Sequence, residues 1–275
     1  MTCRVLGVSR SGYYDWATRP PSARAVADAA LSATIVEIHT GARRSYGAPR
    51  VHSELRMARD IRCGRKRVAR LMRTAGITGI CHRRTRSGQR PAPAPHDDLV
   101  RRRFVADAPD RLWATDITEH PTATGGKVYC CAVIDAYSRM IVGWSIAEHM
   151  RSELVVDALQ MATWRRRPAP GAIVHADRGA QYTSWIFGHR LREAGLLGSM
   201  GRVASSVDNT MIESFWSTMQ RELLDTRDWD TPEQLGSAIF EWIETWYNPR
   251  RRHTSIGHQS PADYERLHRP AAAAA

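Results

Sequence analysis

From about residue 111 onward the hydrophobic pattern changes period, and that change restricts the fold more than any other feature of the chain. Residues 112–118 (LWATDIT), 128–135 (VYCCAVID) and 140–146 (MIVGWSI) read as three successive strands. Gly125-Gly126 forms a turn between the first two, and the near-continuous apolar run of the second is that of a central strand. A helical pattern then spans residues 153–165 through Val155, Val156, Leu159 and Met161. A short strand at 172–176 and a helix around 185–194 follow. The order βββαβα, hairpins first and a crossover later, predicts an α/β fold built on a mixed sheet with flanking helices.

The chain before this point is different. Apolar Val26, Leu31, Ile35 and Ile38 recur at helical spacing between residues 25 and 40, and a turn follows at 45–49 (SYGAP). A second helix is expected from Pro49, carrying Val51 and Leu55, because proline is tolerated in a first turn. A third covers residues 65–75 and stops at Gly76. Its Val68, Leu71 and Met72 face inward, and Arg65, Lys66, Arg67, Arg70 and Arg73 are available outside. Two short helices with a glycine-containing connection, the second densely basic, suit a helix-turn-helix that reads DNA; the alternative is a helical hairpin with a solvated basic face. Charge favours DNA. Residues 1–110 carry 22 basic and 9 acidic side chains, a net +13, against −1 for the remainder. Arg83, Arg84, Arg86 and Arg90 extend this surface and are expected to meet phosphates rather than bases.

Several classes are excluded. No apolar run approaches the roughly 18–20 residues of a membrane span, and no signal-peptide core follows Met1, so a cytoplasmic, nucleoid-associated protein is expected. The five cysteines form neither a disulfide framework nor a CxxC knuckle. His39, His52, Cys63 and Cys81 are spaced too irregularly for a zinc finger. Punctuation divides the chain into an N-terminal segment (1–22), a helical DNA-binding region (23–86), a Pro/Ala-rich linker (87–104), a sheet-forming body (105–268) and a low-complexity tail (269–275).

Three acids of the body stand out. Asp116 lies late in the first strand, and Asp177 ends the fourth. Glu213 sits at the edge of a helix opened by Asp208-Asn209, whose inward stripe is Ile212, Phe215, Trp216, Met219 and Leu223. Hard divalent cations take oxygen ligands, and two ions about 3.5–4 Å apart can assist both the attacking and the leaving oxygen of a phosphoryl displacement. Two strand ends and one helix could supply a minimal cage. Taken singly, each acid could equally end a strand, cap a turn or be a solvated charge.

The strings around these acids carry a resemblance. WATD (113–116), VIDAYSR (133–139), HADRGAQY (175–182) and DNTMIESFW (208–216), with 35 residues between Asp177 and Glu213, resemble the catalytic core of bacterial insertion-sequence transposases with DDE retroviral-integrase-like chemistry. Tyr247-Asn248, Arg251, His253, Gly257, Ser260-Pro261 and Tyr264-Glu265 continue it, as do SRSGYY (9–14) and RSYGAPRVHSEL (44–55) in the front end. The resemblance spans essentially the whole chain and implies a ribonuclease-H-like fold. It also implies a DNA transposase that binds terminal inverted repeats, cuts at transposon ends and joins the freed 3′-hydroxyl to target DNA. Asp116, Asp177 and Glu213 would be its catalytic and metal-binding triad for two Mg²⁺ or Mn²⁺ ions. A homo-oligomer on double-stranded DNA, and a second-reading-frame product that works with an upstream-frame partner, are further implications.

One departure concerns the position seven residues after Glu213, where the family often has Lys or Arg. Here it is Gln220, with Arg221 next to it, about 100° further round the helix. Arg221 is the expected DNA contact on this helix. Arg251 and His253 either touch DNA or pair with acids of the body. Asp135 is read as a turn initiator with Ser138 and Arg139, and Trp242 and Trp246 as core. Two other functions fit the same residues: a DNA-binding regulator or inactive partner of a full-length transposase, and a structure-specific nuclease of the same fold.

Overall fold

In the computed structural model the described residues are 7–80, 99–100, 105–177, 179–200 and 210–268. The chain divides into two compact units, Met1–His82 and Arg83–Ala275. Among the described residues no helix is long and apolar enough to cross a membrane.

The first unit is helical: α1 (Arg10–Thr18), α2 (Ala23–Gly41), α3 (Ala48–Met57) and α4 (Arg65–Thr74). Ser9 and Ser22 cap α1 and α2 by accepting hydrogen bonds from Gly12 N and Ala25 N, which satisfies amides the helices leave open. Leu31, Ile35 and Ile38 of α2, Val51 and Leu55 of α3, and Val68, Leu71 and Met72 of α4 form its buried core. Val26, expected on the same stripe, is exposed, and α1 buries no side chain. After α4 the chain returns so closely that a side chain at Gly79 would collide with the backbone of Tyr46 and Gly47. Across the helices, Asp28 accepts from Arg67 Nε (2.7 Å) and Arg70 Nη2 (2.5 Å).

The second unit is built on one five-stranded sheet. Its strands are β1 (Leu112–Pro121), β2 (Lys127–Asp135), β3 (Ile141–Ala147), β4 (Ile173–Ala176) and β5 (Leu197–Met200), in spatial order β3-β2-β1-β4-β5. β1, β2 and β3 pair antiparallel, whereas β1, β4 and β5 pair parallel. This is the ribonuclease-H-like arrangement, and the order βββαβα holds through α5 (Ser152–Arg166) and α6 (Trp185–Glu193). β5 is an addition to that order. At four residues with a glycine in the middle, it has no pattern of its own and exists by pairing with β4.

α5 covers one sheet face, where Leu154, Val155, Ala158, Leu159 and Ala162 pack with Trp113, Cys131, Val133, Val142, Val174 and Ala176. A side chain at Gly143 would strike Ala158 and Ala162, so glycine permits that close approach. α7 (Thr210–Glu222) packs on β1, and α8 (Pro232–Glu241) on β2. A π-helical turn, Trp242–Tyr247, follows α8 and buries Trp242 and Trp246 as expected. Beyond it Asn248 acts as a substitute strand partner: its Nδ2 donates to Ile141 O and its Oδ1 accepts from Ile141 N, both at 2.9 Å. α9 (Pro261–His268) is fastened through Glu265, which accepts twice from Arg166, while Arg166 Nε donates to Asp110.

Candidate active site

Strand register brings the first two acids together. The parallel pairing of β1 with β4 runs from Leu112↔Ile173 to Ala114↔His175 and stops there. Asp116 lies two residues beyond Ala114, and Asp177 two beyond His175. Because side chains alternate, both acids emerge on the same sheet face at the mouth where the two strands part. That face is turned away from α5, since Trp113, Val174 and Ala176, the odd-numbered and even-numbered neighbours respectively, supply the α5 side. α7 reaches the site from above β1 and carries Glu213 in its first turn.

The three acids share electrostatics. Asp116 is half-buried, and its carboxyl is pushed up to about 7, first by burial, then by the negative charge of Asp177 and also that of Glu213. Two hydrogen bonds oppose the shift: one from the Ile117 backbone and one from Trp216 Nε1, which donates to Asp116 Oδ2 at 3.1 Å. Asp177 is exposed and accepts from Gly179 N at 2.9 Å, and Glu213 is also exposed. Behind Asp116, on the opposite face, lies a buried polar knot. Thr115 Oγ1 is 3.3 Å from Tyr182 OH and 3.5 Å from Cys131 Sγ, which ties the loop after Asp177 to the strand of Asp116. Burial raises Cys131 to about 12, so this thiol is inert at neutral pH.

Among the described residues no three His, Cys, Asp or Glu side chains already stand close enough to hold a metal ion. The donor set nonetheless suits a hard divalent cation, because all three acids are carboxylates and the charges of Asp177 and Glu213 both act on Asp116. Asp208-Asn209, expected to cap α7, and Arg178, Arg83, Arg84, Arg86 and Arg90 lie outside the described residues.

Other expected contacts fall differently. Arg251 is buried and grips Glu222, with Nη2 2.9 Å from Oε1 and Nε 3.0 Å from Oε2. Its guanidinium thus pairs with an acid of the body, one of the two alternatives read for it from the sequence. His253 is half-buried, edge-on to Tyr247, with Nε2 3.5 Å from Arg251 Nη1. Arg221 Nε donates to Ser217 O at 2.8 Å on its own helix, and Gln220 donates to Asp225. On α4, Arg65, Lys66 and Arg73 are exposed, whereas Arg67 and Arg70 are partly committed to Asp28. Asp135 does initiate a turn: Oδ1 accepts from Tyr137 N and Ser138 N, and Oδ2 from Asp110 N. Trp216, read from sequence as core, proved to be the missed residue of the site. Its position one helical turn after Glu213 is the signal that could have found it.

Comparison with known proteins places this arrangement. Residues 106–206 and 195–261 match integrase core domain families, and residues 26–85 match an HTH-like domain. The transposase for insertion sequence element IS904 of Lactococcus lactis subsp. lactis (strain IL1403) is 36% identical over 250 residues, covering 90% of this chain and 98% of the relative. Transposase InsF for insertion sequence IS3A of Escherichia coli (strain K12) is 34% identical, covering 96% and 92%. Among solved structures, the simian T-cell lymphotropic virus intasome in complex with the PP2A regulatory subunit B56 gamma is 13% identical, with a TM-score of 0.48, covering 87% of this chain and 76% of that one. The near-complete coverage at more than a third identity, with the integrase core and HTH-like matches, means that the chain belongs to the insertion-sequence transposase family.

Proposed function

We propose that the chain is a divalent-metal-dependent DNA transposase in which Asp116, Asp177 and Glu213 hold Mg²⁺ or Mn²⁺. It hydrolyses a phosphodiester at a transposon end and then joins the freed 3′-hydroxyl to target DNA. The observation that carries this reading is the register of β1 and β4. It sets Asp116 and Asp177 side by side at a strand mouth, where Glu213 adds a third charge.

The ions, when bound, supply Lewis acidity to a phosphoryl centre that offers no easy electrophile of its own. The chain's own residues do the preparation. Burial and the nearby charges of Asp177 and Glu213 favour the protonated Asp116 carboxyl, so a cation held by these acids would bind in competition with a proton. Gly179 N orients the Asp177 carboxylate, and the Tyr182–Thr115 contact holds that loop against β1. In the first reaction a water oxygen forms the new bond to phosphorus and the DNA 3′-oxygen leaves. In the second, that 3′-oxygen attacks a target phosphodiester and displaces its 3′-oxygen. The helical unit, residues 23–86, grips duplex DNA through exposed Arg65, Lys66 and Arg73, and residues 105–268 form the catalytic body.

The test is strand transfer on oligonucleotides carrying the element's ends, with Mn²⁺, for the wild type and for Asp116→Asn, Asp177→Asn and Glu213→Gln. Joined products are expected only from the wild type. Undiminished joining by any one variant overturns the assignment, and cleavage without joining by the wild type leaves a nuclease.

A further inference from the structure

Trp216 occupies a position that its helical spacing marks as core, yet its indole N–H goes to the one half-buried carboxylate of the site. Glu213 and Trp216 are three residues apart on α7, so both project from one helix face towards β1. The same face therefore delivers a negative charge and a hydrogen-bond donor to Asp116. Repulsion from Asp177 and Glu213 alone would turn the Asp116 carboxylate away from them. The Trp216 donor, together with the Ile117 backbone donor, opposes that rotation. Phe215 fixes the ring from the side, with centroids 4.7 Å apart. Each carboxylate oxygen has two acceptor directions, so Oδ2 can accept from the indole and still leave room for a cation on the remaining lone pairs.

We propose that Trp216 is a positioning residue: its Nε1–H holds the Asp116 carboxylate in the orientation that receives a divalent cation, and so couples the seating of α7 to the completeness of the site. Side chains that orient a metal ligand from behind act through that ligand, and their loss weakens metal binding without touching the ion. The inference rests on the reading of Asp116 as a metal-binding acid.

The experiment titrates the full chain with Mn²⁺ alone, following free Mn²⁺ by electron paramagnetic resonance, in the wild type, Trp216→Phe and Asp116→Asn. Trp216→Phe keeps an aromatic ring and removes the donor. Its Mn²⁺ affinity is expected to fall about tenfold, with a metal-free melting temperature close to that of the wild type, while Asp116→Asn loses uptake. Wild-type affinity in a folded Trp216→Phe, with uptake lost in Asp116→Asn, overturns the role of Trp216 and leaves the function standing. Full uptake by Asp116→Asn overturns the reading beneath both. Should Trp216→Phe not fold, the indole N–H spectrum of the ¹⁵N-labelled wild type decides. One indole signal is expected to shift both in Asp116→Asn and on adding Mg²⁺ to the wild type, and the absence of any indole shift in Asp116→Asn overturns the proposal.

Discussion

Asp116 and Asp135 sit on adjacent, directly paired strands, and the two regions of the sheet treat them in opposite ways. At the Asp135 end the carboxylate takes three backbone N–H donors and closes the turn into β3, so burying its charge builds structure. Burial raises both carboxyls, and each has two acids near it; at the Asp116 end, however, one backbone donor and the Trp216 indole stand against the charges of Asp177 and Glu213, and the carboxyl is pushed up to about 7. A fully bonded buried acid reads as architecture. An acid with fewer donors, held beside two like charges, is a weaker structural device and is better completed by a cation or a proton.

Asp116→Asn should lower strand transfer by about 10³-fold or more, the scale of losing a Lewis-acid ligand. It should leave thermal stability equal or higher, because it removes a repelled charge; a clear drop in melting temperature would show that Asp116 is structural after all. Arg251→Met tests the interior ion pair. It leaves Glu222 buried without its partner, and urea unfolding should show about 3–5 kcal/mol of lost stability. For Asp135→Asn, which turns a donor amide towards backbone N–H groups, about 1–3 kcal/mol is expected in the same assay. Its strand transfer should persist at temperatures where the variant is folded.

The pH dependence follows from the sign of the Asp116 shift. A carboxyl raised from 3.8 to about 7 binds its proton more tightly in the folded chain than in the unfolded one. Its contribution is therefore present below about pH 4 and is lost as pH rises towards 7. Relative to Asp116→Asn, the metal-free wild type should lose stability across that window, and Mn²⁺ uptake should rise through pH 7. A flat difference between the two proteins would remove the coupling among the three acids. The smallest effect belongs to the helical unit: Lys66→Ala should reduce the salt dependence of DNA binding by about one unit of log–log slope and leave melting unchanged.

Legibility differed from element to element. The central strands and the α5 stripe were visible because burial on one or both faces imposes a period that a single segment displays. β5 was not, since Leu197-Gly-Ser-Met200 becomes a strand only by pairing with β4. α1 was hidden for a related reason, as a capped helix that buries nothing has no apolar stripe to announce it. Asn248 and Glu265 stood in strings that resembled a family, and their work became visible only as contacts to Ile141 and Arg166. Arg251 is a parallel case. Its place in a basic cluster left DNA and an acid of the body both open, and the pairing with Glu222, 29 positions away in the chain, is visible only in the fold.

The amino-acid order by itself determined the period of each segment, the division between a basic helical front and a near-neutral sheet-forming body, and which three acids deserved suspicion. All of these are properties of neighbours along the chain. Whether those acids met, and on which face, was decided by the parallel register that ends at Ala114↔His175 and by the packing of α7 on β1. Register and docking depend on which distant surfaces bury one another, so only the folded chain could settle that Asp116 would lie within the field of Asp177 and Glu213, and that it would accept a hydrogen bond from Trp216.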